Sequence, residues 1–158
     1  MDASELIIRV NGTEAFERVG AALGEADDEM PGKIRKELVL LANRLAYVAS
    51  RAALAEPTHG AVHTGLRESV SHGVGVRETD DGAVVTTSMP VPDEAVIPRG
   101  LDAHGWRHPV FGNRNNWVVQ HGAFSWFMDS MQGGRTDGEQ NLERMLNEVA
   151  EKIAAAAE

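Results

Sequence analysis

Ile34, Leu38, Leu41, Leu45, Val48 and Ala52 recur at spacings of four, three, four, three and four, the period of a helix with one apolar flank. Pro31 stands where a first helical turn tolerates proline, and Pro57 forces the chain out of helix just beyond, so the pattern predicts a helix over 31–55. A helix this long with one dry face must bury that face against another layer. The end of the chain repeats the pattern. Thr136 or Asp137 can cap a second helix whose stripe is Leu142, Leu146, Val149, Ile153 and Ala156. Two amphipathic helices therefore bracket the middle of the chain, and the middle must give them something to pack on.

That middle reads as β-structure. Val74 and Val76 alternate with Gly75 and Arg77, Asp80-Asp81-Gly82 marks a turn, and Ala83 to Thr87 resumes in β-type residues, which together predict a hairpin. Near the N-terminus, Leu6-Ile7-Ile8-Arg9-Val10 is a short strand ended by Asn11-Gly12, and a helical turn or two follows from Thr13 through Phe16, Val19 and Leu23, closed by Gly24. Trp117-Val118-Val119 is a third strand assigned to the same sheet as the hairpin. Between them, residues 89–116 carry prolines at 90, 92, 98 and 109 and glycines at 100, 105 and 112, and read as one long loop. The expected architecture is a single α+β domain over 1–158: a small antiparallel sheet packed by a long N-terminal helix and a C-terminal amphipathic helix, with a long central loop.

Composition narrows the chemistry. The 158 residues contain no cysteine, which removes disulfides, thiolate metal sites and a cysteine nucleophile. With 24 acids against 15 bases the net charge is −9, which argues against tight, sequence-tolerant gripping of nucleic acid and against an anionic membrane surface. No continuous apolar run approaches the roughly 20 residues of a spanning helix, and the acidic start Met1 to Glu5 is unlike an export signal. The charge is also uneven. Residues 1–32 hold eight acids and two bases, 33–56 hold five bases and two acids, and 129–158 hold seven acids and three bases. The long helix, with Lys33, Arg35, Lys36 and Arg44, is basic inside an acidic protein, which suits contact between subunits.

Candidate reactive groups are few. His59 and His63, and His104 and His108, have the i, i+4 spacing of helical metal ligands, but Gly60 and Gly105 interrupt the pairs and Pro57 and Pro109 flank them, so exposed loop histidines are the simpler reading and no metal or other cofactor is expected. A small nuclease or toxin built from His104, Arg107, His108 and His121 with Asp102 is the alternative enzymatic reading. Phosphate-loop, nucleophile-elbow, zinc-protease and dinucleotide motifs are absent from the sequence. The aromatic residues are concentrated: six of eight fall between Trp106 and Phe127. Trp117 and Phe127 are expected in the core, while Trp106 and Phe111, with Arg107 and Arg114 beside them, divide between interface anchors and local loop packing.

Thr64-Gly65-Leu66-Arg67-Glu68-Ser69-Val70 resembles the threonine-glycine-x-leucine-arginine-x-serine box of siphophage head–tail joining proteins, the tail-completion or tail-terminator-like neck family of lambda-like long-tailed phages, with one spacer residue fewer. In that family the box follows a long helix and precedes a β-hairpin, the order read here. Trp117 to Ala123 resembles the family's strand and glycine turn, with Gln120-His121 in place of the acid. Ser125 to Met131 resembles its proline-phenylalanine-leucine segment without the proline, and Gly105 to Asn113 resembles a loop of relatives from phages of high-GC Gram-positive hosts. The resemblance, over about residues 33–157, implies a non-enzymatic virion subunit that forms a ring, as a hexamer, in the phage neck. It further implies contacts with neighbouring head-completion and tail tube proteins, passage of DNA through the lumen without specific binding, and assembly in the host cytoplasm without a membrane. A soluble adaptor binding through its amphipathic helices is the remaining alternative.

Overall fold

The computed structural model describes residues 7–11, 30–56, 65–80, 82–110, 113–122 and 124–156. The helical turn expected between Thr13 and Gly24, the histidines at 59 and 63, and Phe111 lie outside the described residues. Helix α1 (Met30–Ala55) is the 26-residue helix that the apolar period predicts. A short helix α2 (Leu66–His72), not anticipated from periodicity, leads into strands β2 (Val74–Thr79) and β3 (Gly82–Thr87). Strand β1 (Ile7–Asn11) pairs antiparallel with β3, so β3 is the centre of a three-stranded sheet ordered β1-β3-β2. The chain is of the α+β class, with its long N-terminal helix and C-terminal helix as expected.

The buried flank of α1 is not the row of its largest residues. Leu38, Ala42, Leu45, Ala49 and Ala53 are buried, while Val48 is 48% exposed. Alanines alternate with Leu38 and Leu45 along the contact because α1 packs at once on all three strands, on α2 and on the C-terminal helix α4 (Trp126–Ala156), and close approach on several sides favours small side chains at many of its positions. Taken alone, Pro31–Ala55 contains an 18-residue window of mean hydropathy 1.3, long and apolar enough to cross a membrane. Arg44 and Arg51 interrupt the segment, so it contains no long continuous apolar run. In the fold its apolar flank is the core, joined by Val70, Val85, Phe127 and Met131.

Two expectations are corrected here. The segment 89–116 is not a single loop: it contains a 3₁₀ turn (Pro92–Glu94), a short helix α3 (Ile97–Arg99), a π turn (Gly100–His104) and strand β4 (Trp106–Val110). Pro92 opens the 3₁₀ turn and Pro98 is the second residue of α3, first-turn positions where the missing N–H costs nothing. Strand β5 (Asn113–Gln120) pairs with β4 in a separate two-stranded sheet and does not join the first. Closing a hairpin between strands two residues apart loses far less chain entropy than reaching a distant edge, and β3 already has a partner on each side.

Helix α4 starts at Trp126, ten residues before the expected cap, and runs 31 residues through Gly133, Gly134 and Gly138. An interior glycine costs a helix about 1 kcal/mol. Here two of the three are contact surfaces: a β-carbon at Gly134 would collide with the Leu45 side chain, and one at Gly138 with Leu41, so their absence lets α4 lie close to α1.

Gly73 has an equally specific role. Its amide closes α2 on the Ser69 and Val70 carbonyls, its carbonyl accepts the Ser88 amide at 2.9 Å, and a β-carbon would run into the Ser88 carbonyl. Gly73→Ala should therefore lower the unfolding free energy by about 1–3 kcal/mol, the usual cost of overpacking a rigid contact. Gly75→Ala, where nothing lies within 4 Å, serves as the control, and urea unfolding followed by circular dichroism compares them.

Candidate functional site

The hairpin β4–β5 is the part of the molecule whose exposure its own fold does not explain. All eight residues of β5 are exposed, including Trp117 at 45%, Val118 at 39% and Val119 at 54%. In the register, Arg107 faces Val119 and Pro109 faces Trp117, which puts Arg107, Trp117 and Val119 on one face. There the Arg107 guanidinium lies 5.7 Å from the centre of the Trp117 ring, within cation–π range. The indole Nε1 donates to the Arg114 carbonyl at 2.6 Å, and the Asn115 amide donates to Asn113 Oδ1 at 3.0 Å. A two-stranded hairpin alone in water is marginally stable, and these contacts help to hold its shape.

The root of the hairpin is firmly held. Trp106, on the opposite face of β4 from Arg107, is 7% exposed and belongs to the core cluster. It packs where Gly100 leaves space, since a β-carbon there would meet the Trp106 Cβ at 2.7 Å. Gly105, in the left-handed region at φ 70°, sits too close to the Gln120 carbonyl for any side chain. The π turn ends with the Gly105 amide on the Gly100 carbonyl at 2.9 Å. Gly122 lies directly against the Leu101 carbonyl and beside Glu56 Oε1.

Beneath this root lies a buried polar junction. Asp102, 3% exposed, accepts the Phe127 amide at 2.6 Å and the Met128 amide at 3.1 Å through one oxygen, Oδ1. It is the N-terminal cap of α4, supplied from 25 residues away. Arg67 donates through Nη1 to the Glu56 carbonyl at 3.0 Å and the Leu54 carbonyl at 3.3 Å, closing the C-terminal end of α1. Gly65 precedes α2 at φ 70°, a conformation glycine adopts without strain. The glycine and arginine of the 64–70 box are thus structural in this chain: they start α2 and end α1.

Trp117, expected in the core, lies at the surface, and Trp106, whose place the sequence divides between interface anchor and local packing, lies in the core. The cause is that β5 acquires no second layer while Trp106 follows directly on the π turn, which packs against α4. Phe127 is fully buried, as expected, with the Trp126 ring 5.5 Å away in edge contact. Of the basic residues, Lys36 and Arg44 are exposed on α1 near Leu40 (43%) and Tyr47 (69%), Arg35 is 3.8 Å from Glu78 on β2, and Lys33 is half-buried. These α1 residues form a second exposed surface, apart from the hairpin. Arg107 and Arg114 are both exposed on the hairpin. Tyr47 and Leu40 were not singled out from sequence, and only their place outside the α1 core stripe marks them.

Of the residues of the enzymatic alternative, Asp102, Arg107 and His121 have separate surroundings. The Asp102 carboxylate is buried on backbone amides, Arg107 lies over Trp117 in solvent, and His121 is exposed. A shallow groove between α1 and α4, of about 10 Å³, is lined by residues that include Glu37, Leu38, Arg44, Asn141 and Leu142, and among the described residues neither Asp102 nor His121 lines it. Among the described residues no three His, Asp or Glu side chains are placed to hold a metal. No family model, curated protein or solved structure matches the chain.

If Asp102 is the cap on which α4 depends, Asp102→Ala should destabilise the protein by about 2 kcal/mol, in the range for a buried charged acceptor. Asp102→Asn keeps an acceptor oxygen and should lose less. Thermal unfolding of the three proteins checks the order, and equal melting temperatures would contradict it.

Proposed function

We propose that this chain is a structural subunit of the phage neck, forming a ring at the head–tail interface as a tail terminator or tail-completion protein. The observation that carries the reading is the β4–β5 hairpin, an ordered arm whose eight-residue strand exposes Trp117, Val118 and Val119. Exposed apolar surface of this kind, with Trp117 and Val119 on one face and Val118 on the other, favours a contact with another macromolecule, and tryptophan and arginine are favoured anchors of such contacts. The 64–70 box, followed here by a hairpin and preceded by a long helix, supports the choice of family, and the strongly acidic balance suits a channel that must pass DNA without gripping phosphate.

In this role the protein performs no reaction. Its partners are copies of itself, the neighbouring head-completion ring and the tail tube, and its place is the virion, reached from the host cytoplasm during assembly. A ring requires one surface of a subunit to meet a different surface of the next, and the exposed hairpin and the basic, tyrosine-bearing face of α1 are two such surfaces on one subunit.

The double variant Trp117→Ser/Val119→Ser should keep the circular dichroism spectrum and melting temperature of the parent. Its self-association should weaken by about 30-fold or more, equivalent to about 2 kcal/mol for a buried interfacial aromatic. Trp106→Ser should instead unfold the domain. Sedimentation velocity and negative-stain imaging, alone and with tail tubes, read the outcome, and a parent protein that stays monomeric under both conditions would refute the ring.

A further inference from the structure

Every residue of β5 is exposed, and the backbone edge of the strand is as open as its side chains. In an antiparallel pair, successive residues turn their amide and carbonyl alternately toward the partner strand and away from it. Gln120 is level with Trp106 in the register, and its carbonyl comes against Gly105 at the root of β4, so Gln120 and Val118 turn toward β4. Trp117 is level with Pro109, which has no amide to offer it. Trp117 and Val119 therefore turn their amides and carbonyls away from the hairpin. Asn115, next in that series, has its amide taken by Asn113 Oδ1, which leaves Trp117 to Val119 as the open edge. An unpaired edge is a template for another strand.

A matching edge lies on the three-stranded sheet. Strand β2 is its end strand, and among the described residues no strand pairs with its other side. The Gly73 carbonyl accepts the Ser88 amide, in the direction of β3, so by the same alternation Val74, Val76 and Glu78 turn their backbone groups outward. Val74 and Val76 share the face packed on the core, whereas Gly75, on the opposite face, has nothing within 4 Å of where a β-carbon would stand. Antiparallel pairing of Val119 with Val74 and of Trp117 with Val76 brings outward groups to outward groups. It also aligns apolar side chains on one face and sets Val118 beside the open space at Gly75 on the other. Arg114 then comes level with Thr79, between Glu78 and the exposed Asp80, and the arm brings no acid to them, since residues 103–128 contain none. A slip of one residue would set Trp117 against Gly75 or Arg77 and turn outward groups against inward ones.

We propose that β5 of one subunit adds as a fourth strand to the β2 edge of a second copy, antiparallel, with Val119 opposite Val74 and Trp117 opposite Val76. Main-chain hydrogen bonds supply the attachment, and the alternate side chains fix its register. The contact joins two different edges, so it repeats from subunit to subunit around a ring. It rests on the ring reading above and assigns the two edges that meet.

Because the chain has no cysteine, a pair of introduced cysteines reads the contact directly. In this register Val118 and Gly75 are opposite each other without backbone bonds between them, the kind of pair whose α-carbons stand about 4.5 Å apart, within reach of a disulfide. Val118→Cys/Gly75→Cys should fold, as judged by circular dichroism. On mild oxidation it should give dimers, trimers and higher species on a non-reducing gel, at about 10-fold or more the yield of either single variant, and reduction should return the monomer. Val118→Cys/Arg77→Cys, two residues out of register, should give little. A folded Val118→Cys/Gly75→Cys that yields only monomer while the parent assembles, or equal yields from the two pairs, overturns the edge pairing and leaves the ring reading intact. Dimers from Val118→Cys alone in the same yield as from the pair would set hairpin against hairpin and also overturn it. A parent that does not associate refutes the ring itself, and the edge pairing with it.

Discussion

One carboxylate organises the junction from which the second half of the fold departs. Asp102, held in the π turn, receives the first amides of α4 across 25 residues of chain. The first four amides of a helix have no partner within it, and a helix that begins with Trp126 and Phe127 buried has no water to provide one. The cap thus decides both where α4 starts and where the π turn sits. The hairpin is the chain between these two points, so its root is positioned by the same contact.

What leaves that junction is a rigid base carrying an exposed arm. Trp106 ties β4 to the core, while the strand paired with it has no layer over either face. The arrangement presents apolar and cationic groups away from the body at little further cost in ordering, because the hairpin is already formed. Preorganisation of this kind is what an interface needs to gain affinity from few residues. The helix α1, in contrast, serves packing on its alanine flank and presents Tyr47, Leu40, Lys36 and Arg44 on the other, so both long helices have one flank inside and one flank available.

How far the chain could be read in advance depends on whether the governing contact is local. Helix α1 and the β2–β3 hairpin were legible because Pro31, the apolar period, and the Asp80-Asp81-Gly82 turn act within a few residues. The start of α4 was not, because its cap is remote and because Gly133 and Gly134 look like breakers until Leu45 is seen against Gly134. The segment 89–116 read as loop because proline and glycine punctuate both loops and the first turns of short helices. Trp117 reads as core from its β-type run and Trp106, in a proline- and glycine-rich stretch, reads either way, since only the presence or absence of an overlying layer separates core from surface. The candidate site was half visible: the concentration of aromatics and the arginines at 107 and 114 were plain, but the hairpin that arrays them was not.

By itself the sequence determined the class of the fold, its long first helix and central hairpin, the exclusion of thiol chemistry and the uneven placement of charge. These follow from properties that each residue carries with it or shares with near neighbours. Tertiary structure alone decided that Asp102 is a cap, that Arg67 closes α1, that β5 pairs with β4, and that Trp117 faces solvent while Trp106 does not. Each of those outcomes depends on which distant segments come to lie together, and burial is a property of the neighbours that arrive as much as of the residue that receives them.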